Sequence, residues 1–84
     1  MDDREAIGRA YNAVRRTGAL DYPAWLSAVA AYRERHPEVS GRVAGLEASR
    51  LICDAATYIP EVIWDGVGSG PVKRGYRPGA MMWE

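Results

Sequence analysis

SGRVAGLEASRLICDAATYI, residues Ser40 to Ile59, decides the fold. Ala44, Ala48, Leu51, Ile52, Ala55, Tyr58 and Ile59 recur at three- and four-residue steps, the spacing that gathers side chains on one side of an α-helix. Val43 and Leu46 extend this stripe at its start, and Gly41 and Gly45 blur its N-terminal boundary. The segment therefore reads as the core helix, against which the rest of the chain must bury its own apolar side chains.

Pro60 must end or kink that helix, because a proline ring clashes with the preceding turn. Pro60-Glu61-Val62-Ile63-Trp64-Asp65-Gly66 then reads as a short extra helical turn, with Pro at its first position and Gly as its stop. A strand over Val62 to Trp64 is the competing reading.

Upstream, Trp25, Ala28, Val29 and Tyr32 repeat the helical spacing, and Leu26 widens the stripe. Asp21 is read as the residue whose carboxylate caps this helix, with Pro23 in the first turn and Leu20 and Trp25 at the spacing of a hydrophobic staple. Pro37 sets the end near His36, whose ring is expected to satisfy the last carbonyls. A first helix is predicted from Asp3 to Arg16 on Ile7, Ala10, Tyr11 and Val14. Asp2, Asp3 and Glu5 suit the positive end of its dipole, Arg15 and Arg16 the negative end, and Gly18 a left-handed stop. Gly8 either weakens the middle of this helix or admits a close helix crossing.

The expected fold is thus all-α: a small three-helix bundle with a short extra helical turn and an irregular C-terminal tail. Residues 1–66 form the helical body and residues 67–84 a Gly-rich connector with a basic, aromatic tail. Gly66-Val67-Gly68-Ser69-Gly70-Pro71 resembles a phosphate cradle only superficially, since no strand precedes it and no helix follows. No internal repeat is present.

Eighty-four residues hold one core, and a chain so short buries only about 60% of the surface its unfolded form exposes. Self-association stays open as a further source of stability. With 48% apolar and 26% charged residues, the composition is that of a folded globular protein. The lone Cys53 cannot close an internal disulfide, no apolar run reaches a bilayer's thickness, and the acidic start lacks the basic region of a signal peptide. These features lead to the expectation of a cytoplasmic protein without membrane attachment.

Eleven basic and eleven acidic residues cancel, which argues against direct nucleic-acid binding. Their distribution is uneven. Residues 1–66 hold eight Arg against ten Asp or Glu, a net of minus two, whereas residues 67–84 hold Lys73, Arg74 and Arg77 against Glu84, a net of plus two. The acids Asp2, Asp3, Glu5, Glu34, Glu38, Glu47, Asp54, Glu61 and Asp65 are either an ordinary solvated surface or a means of steering the body towards a basic partner.

Catalysis and metal binding are not expected. His36 and Cys53 are the only imidazole and thiol, too few for a structural zinc site, and Cys53 sits beside Ile52 near the apolar face of its helix. No cofactor motif is present. A helix-turn-helix would offer Arg42, Glu47, Ser49 and Arg50 to DNA, but Glu47 and Asp54 on the same helix oppose it. Met, Trp, Tyr and Arg favour protein interfaces, so Arg74, Tyr76, Arg77, Met81, Met82 and Trp83 read as partner contacts or as a flap on the body. With Glu34, Glu38 and Glu47 from the body, Arg74, Tyr76, Arg77 and Trp83 form the candidate partner-binding set.

Asp21-Tyr22-Pro23-Ala24-Trp25-Leu26, Ala31-Tyr32-Arg33-Glu34-Arg35-His36-Pro37 and Tyr58-Ile59-Pro60-Glu61-Val62-Ile63-Trp64-Asp65-Gly66 give the chain a further character. On these stretches it resembles the small proteins of phages and mobile elements, in particular type I-C anti-CRISPR proteins. The resemblance implies a stoichiometric inhibitor that binds a multisubunit CRISPR surveillance complex in a bacterial cytoplasm and prevents target DNA from loading. A small DNA-binding regulator and an antitoxin-like partner-binding protein are the competing classes.

Overall fold

The computed structural model describes residues 1–67, which form four helices and no strand: α1 (Asp3–Arg15), α2 (Asp21–Arg35), α3 (Gly41–Tyr58) and α4 (Pro60–Trp64). The expected all-α bundle with a short extra turn is the fold observed. Arg74, Tyr76, Arg77, Met81, Met82 and Trp83 lie outside the described residues.

Local chemistry sets most of the boundaries. Asp2 caps α1 by accepting from the Glu5 amide at 2.9 Å, and Ser40 caps α3 by accepting from the Val43 amide at 3.2 Å. Prolines close the other ends: His36 and Ile59, each preceding a proline, have left helical backbone angles. Gly18 and Gly66 take the positive φ values of 96° and 76° that stop α1 and follow α4.

Asp21 does not cap α2. Leu20 holds the N-cap position without a side-chain hydrogen bond, while the Asp21 carboxylate accepts from the Tyr11 hydroxyl. The carboxylate is thereby committed to tying α2 to α1. The staple is also absent: Leu20 is 78% exposed, and Trp25 instead stacks on Tyr22 with ring centroids 5.8 Å apart.

Ile7, Tyr11, Leu51 and Ile63 join Ala24, Ala28, Ala44, Ala48 and Ala55 in the buried core. Complete burial of Ile7 and of Ile63 contributes about 1.5–3 kcal/mol each by area removed from water. The alanines let α2 and α3 approach closely, and Gly45 takes the contact further: a Cβ there would lie 3.1 Å from Trp25 Cζ2. Close approach leaves no room for large side chains at the flanks of the seam. Leu26, Val43, Leu46 and Tyr58, all expected on apolar faces, are exposed, Tyr58 under the Arg4 guanidinium of α1. Gly8 serves the close crossing: its missing Cβ would stand 2.9 Å from Val62 Cγ1 and 3.2 Å from Ala55 Cβ.

Candidate interaction surface

The corner where α2 turns into α3 collects polar groups from three segments. His36 closes α2 and its ring packs against Tyr32 at 4.5 Å. Its Nε2 lies 2.7 Å from Asp3 Oδ2, so the ring bonds a carboxylate on α1 rather than the last carbonyls of its own helix. Arg35 donates through Nε to Asp3 Oδ1 at 2.6 Å and through Nη2 to the Met1 carbonyl at 2.8 Å. The hydrogen bond from Arg35, followed by that from His36, holds the Asp3 carboxyl below its usual pKa against the opposing effect of burial.

Tyr32, packed against the His36 ring, feels the charges of this corner. Its hydroxyl is pushed above its usual pKa, first by desolvation and then by the negative charges of Glu47, Asp3 and Glu38, with Arg50 opposing. Asp3 and Glu38, both among the acids that sequence offered for steering, meet on the two nitrogens of the His36 ring, whereas the candidate Glu47 pairs with Arg50 on α3. Glu38 Oε2 stands 3.9 Å from His36 Nδ1. Glu34 is exposed on α2, has no ion pair among the described residues and does not join the group.

Glu47 is shared with Arg50, which donates to it from Nη2 at 2.7 Å and Nε at 3.1 Å, and to Asp54 from Nη1 at 3.2 Å. The Glu47 hydrogen bond holds the Arg50 guanidinium above its ordinary pKa. Ser49 accepts from the Trp25 indole N–H at 2.9 Å and donates to the Gly45 carbonyl. Three of the four residues a recognition helix would offer to DNA, Glu47, Ser49 and Arg50, are therefore engaged within the fold.

Cys53 is exposed, contrary to its expected place near the apolar face, because α2 and α1 cover α3 along the Ala44, Ala48, Leu51 and Ala55 line. Among the described residues no group of three or more His, Cys, Asp or Glu is arranged to hold a metal ion. No helix among them is long and apolar enough to cross a membrane. The chain matches no family model, no curated protein and no solved structure.

Proposed function

We propose that this chain is a non-enzymatic, protein-binding inhibitor that docks on a type I CRISPR surveillance complex in a bacterial cytoplasm and blocks loading of target DNA. The observation that supports it is the placement of the Asp3 and Glu38 carboxylates on either side of the His36 ring at the turn between α2 and α3, on a body of net charge minus two. A channel that admits DNA must present positive potential, and an acidic corner held on packed helices competes for it through charge complementarity. Such competition needs no catalytic group.

The test is an affinity pull-down of the tagged chain from a host carrying type I CRISPR machinery, read by mass spectrometry. Near-stoichiometric recovery of surveillance subunits is expected, and their absence refutes the proposal. Combined Glu34→Lys, Glu38→Lys and Glu47→Lys substitutions should abolish that recovery without unfolding the bundle. Undiminished recovery would remove the acidic corner from the mechanism.

A helix-turn-helix regulator is the weaker reading, since Ser49 and Arg50 are engaged internally and only Arg42 of the basic set projects without an ion pair. Such a regulator would show duplex affinity falling steeply with salt. An antitoxin-like protein would recover one cognate partner in the same pull-down.

A further inference from the structure

The arginines of residues 1–67 divide into two groups. Arg9, Arg16, Arg35 and Arg50 form ion pairs, Arg15 donates to the Tyr11 hydroxyl, and Arg4 lies over the Tyr58 ring. Arg33 and Arg42 are exposed and have no such partner among the described residues. Arg33 belongs to the α2–α3 seam, its Nη1 lying 3.2 Å from where a Cβ on Gly41 would stand, and Arg42 borders it, seven residues before Ser49, which Trp25 of α2 contacts.

Exposed apolar side chains share that seam. Trp25 lies at its floor, packed on Gly45 and bonded to Ser49. On α2, Tyr22 stacks on Trp25 and Leu26 follows four residues later on the same side. On α3, Leu46 is four residues after Arg42 and three before Ser49, so these three share one side of that helix. Tyr22 is 64% exposed, Leu26 46% and Leu46 59%. Exposed Tyr22, Leu26 and Leu46 on the two helices that meet at Trp25, with two guanidinium groups that form no ion pair among the described residues, have the composition of an interface hot spot.

We propose that the α2–α3 seam docks an acidic, apolar segment of a partner protein. Leu or aromatic side chains of that segment would cover Leu26, Leu46 and the Tyr22–Trp25 stack, and its carboxylates would pair with Arg33 and Arg42. Arginine suits this role because its planar fork takes a carboxylate bidentately. A nucleic-acid strand fits less well: two cations neutralise few phosphates, and the leucines offer no stacking face. This surface adjoins the acidic corner at the α2–α3 turn, where Arg33 reaches Gly41, but it does not require the partner to be a CRISPR subunit.

The experiment is selection of a random phage-displayed peptide library on the full chain, followed by fluorescence anisotropy of the enriched peptides. Peptides mixing Asp or Glu with Leu, Phe or Trp are expected. The double variant Arg33→Glu/Arg42→Glu should weaken them about tenfold or more, and Leu46→Glu should weaken them separately, with thermal unfolding unchanged. No enrichment, enrichment of neutral or basic peptides, or binding indifferent to these variants overturns the proposal. So does a dimer in sedimentation that Leu46→Glu dissociates, which would make a second copy the occupant. Binding of a short oligothymidylate that is lost in the double variant would likewise overturn it, in favour of nucleic acid. The selection contains no CRISPR component, so its outcome is independent of the pull-down.

Discussion

Asn12 Nδ2 donates to the Ile63 carbonyl at 2.9 Å, joining the middle of the first helix to the last turn of the fourth. The same amide nitrogen donates to the Asp65 carbonyl at 2.7 Å, so one side chain satisfies two carbonyls at the end of α4 that lack helical partners. Asn12 is 3% exposed, and its Oδ1 accepts from Arg16 Nε at 3.1 Å. Asn12→Leu should cost about 2–3 kcal/mol in urea unfolding, because it leaves buried carbonyls unmatched. Amide exchange should accelerate first across Pro60–Trp64. A loss below about 0.5 kcal/mol, within the range of ordinary surface changes, would contradict this role for Asn12.

Gly8→Ala sets helix propensity against packing. Alanine favours the helix by about 1 kcal/mol, but its Cβ would press on Val62 and on Ala55, whose own Cβ cannot rotate away. Overpacking of this kind costs about 1–3 kcal/mol, so the net change should be destabilising for Ala and larger for Val. Thermal melts of the two variants decide it. An increase in stability for Gly8→Ala would show that the crossing is looser than the structure indicates.

Asp3 makes stability depend on acid. Its carboxyl titrates below the usual value in the folded chain, so the unfolded chain binds the proton more readily, and the contribution is present above about pH 4. It is lost as pH falls through the lower folded-state value. Urea midpoints measured from pH 6 down to pH 2 should fall more for the native chain than for Asp3→Asn. Parallel pH dependence in the two would exclude the Asp3 clamp as the cause.

Tyr11 acts at the other end of the pH scale. Desolvation, then the hydrogen bond to Asp21, raises its hydroxyl above the usual value, with Arg15 opposing. The stability this contributes is complete at neutral pH and declines as pH rises from about 10 through the higher folded-state value. Ultraviolet titration should show late-ionising phenols in the native chain, with Tyr11→Phe removing one of them and leaving that of Tyr32. Tyr11→Phe should also cost about 1–2 kcal/mol at pH 7, because the Asp21 and Arg15 hydrogen bonds are both lost.

The ends of the helices were legible where their causes are local: Pro37 and Pro60 as stops, Gly18 as a left-handed residue and Gly66 as the stop of the short last turn, whereas the caps Asp2 and Ser40 emerge only from the structure. The edges of the buried faces were not legible, because coverage of a flank depends on the neighbouring helix. Gly45 admits Trp25, and Leu46, one residue further along, is left outside. Asp21 looks like a cap to any local rule, yet Tyr11, ten residues earlier, competes for its carboxylate. Glu38 was visible as an acid, but its meeting with Asp3 on the His36 ring depends on how α2 turns into α3. Helical spacing did hold a signal that Glu34 stands apart, since it is two residues from both Tyr32 and His36 and so faces away from them.

The inhibition proposed above works by occupying the path of target DNA. The direct measurement is an electrophoretic mobility shift of labelled target duplex by a purified type I surveillance complex, titrated with the chain. The account predicts that the shifted band disappears near one molar equivalent per binding site, and that the Glu34→Lys/Glu38→Lys/Glu47→Lys variant leaves it intact. A shifted band that persists at large excess of the native chain would contradict the account.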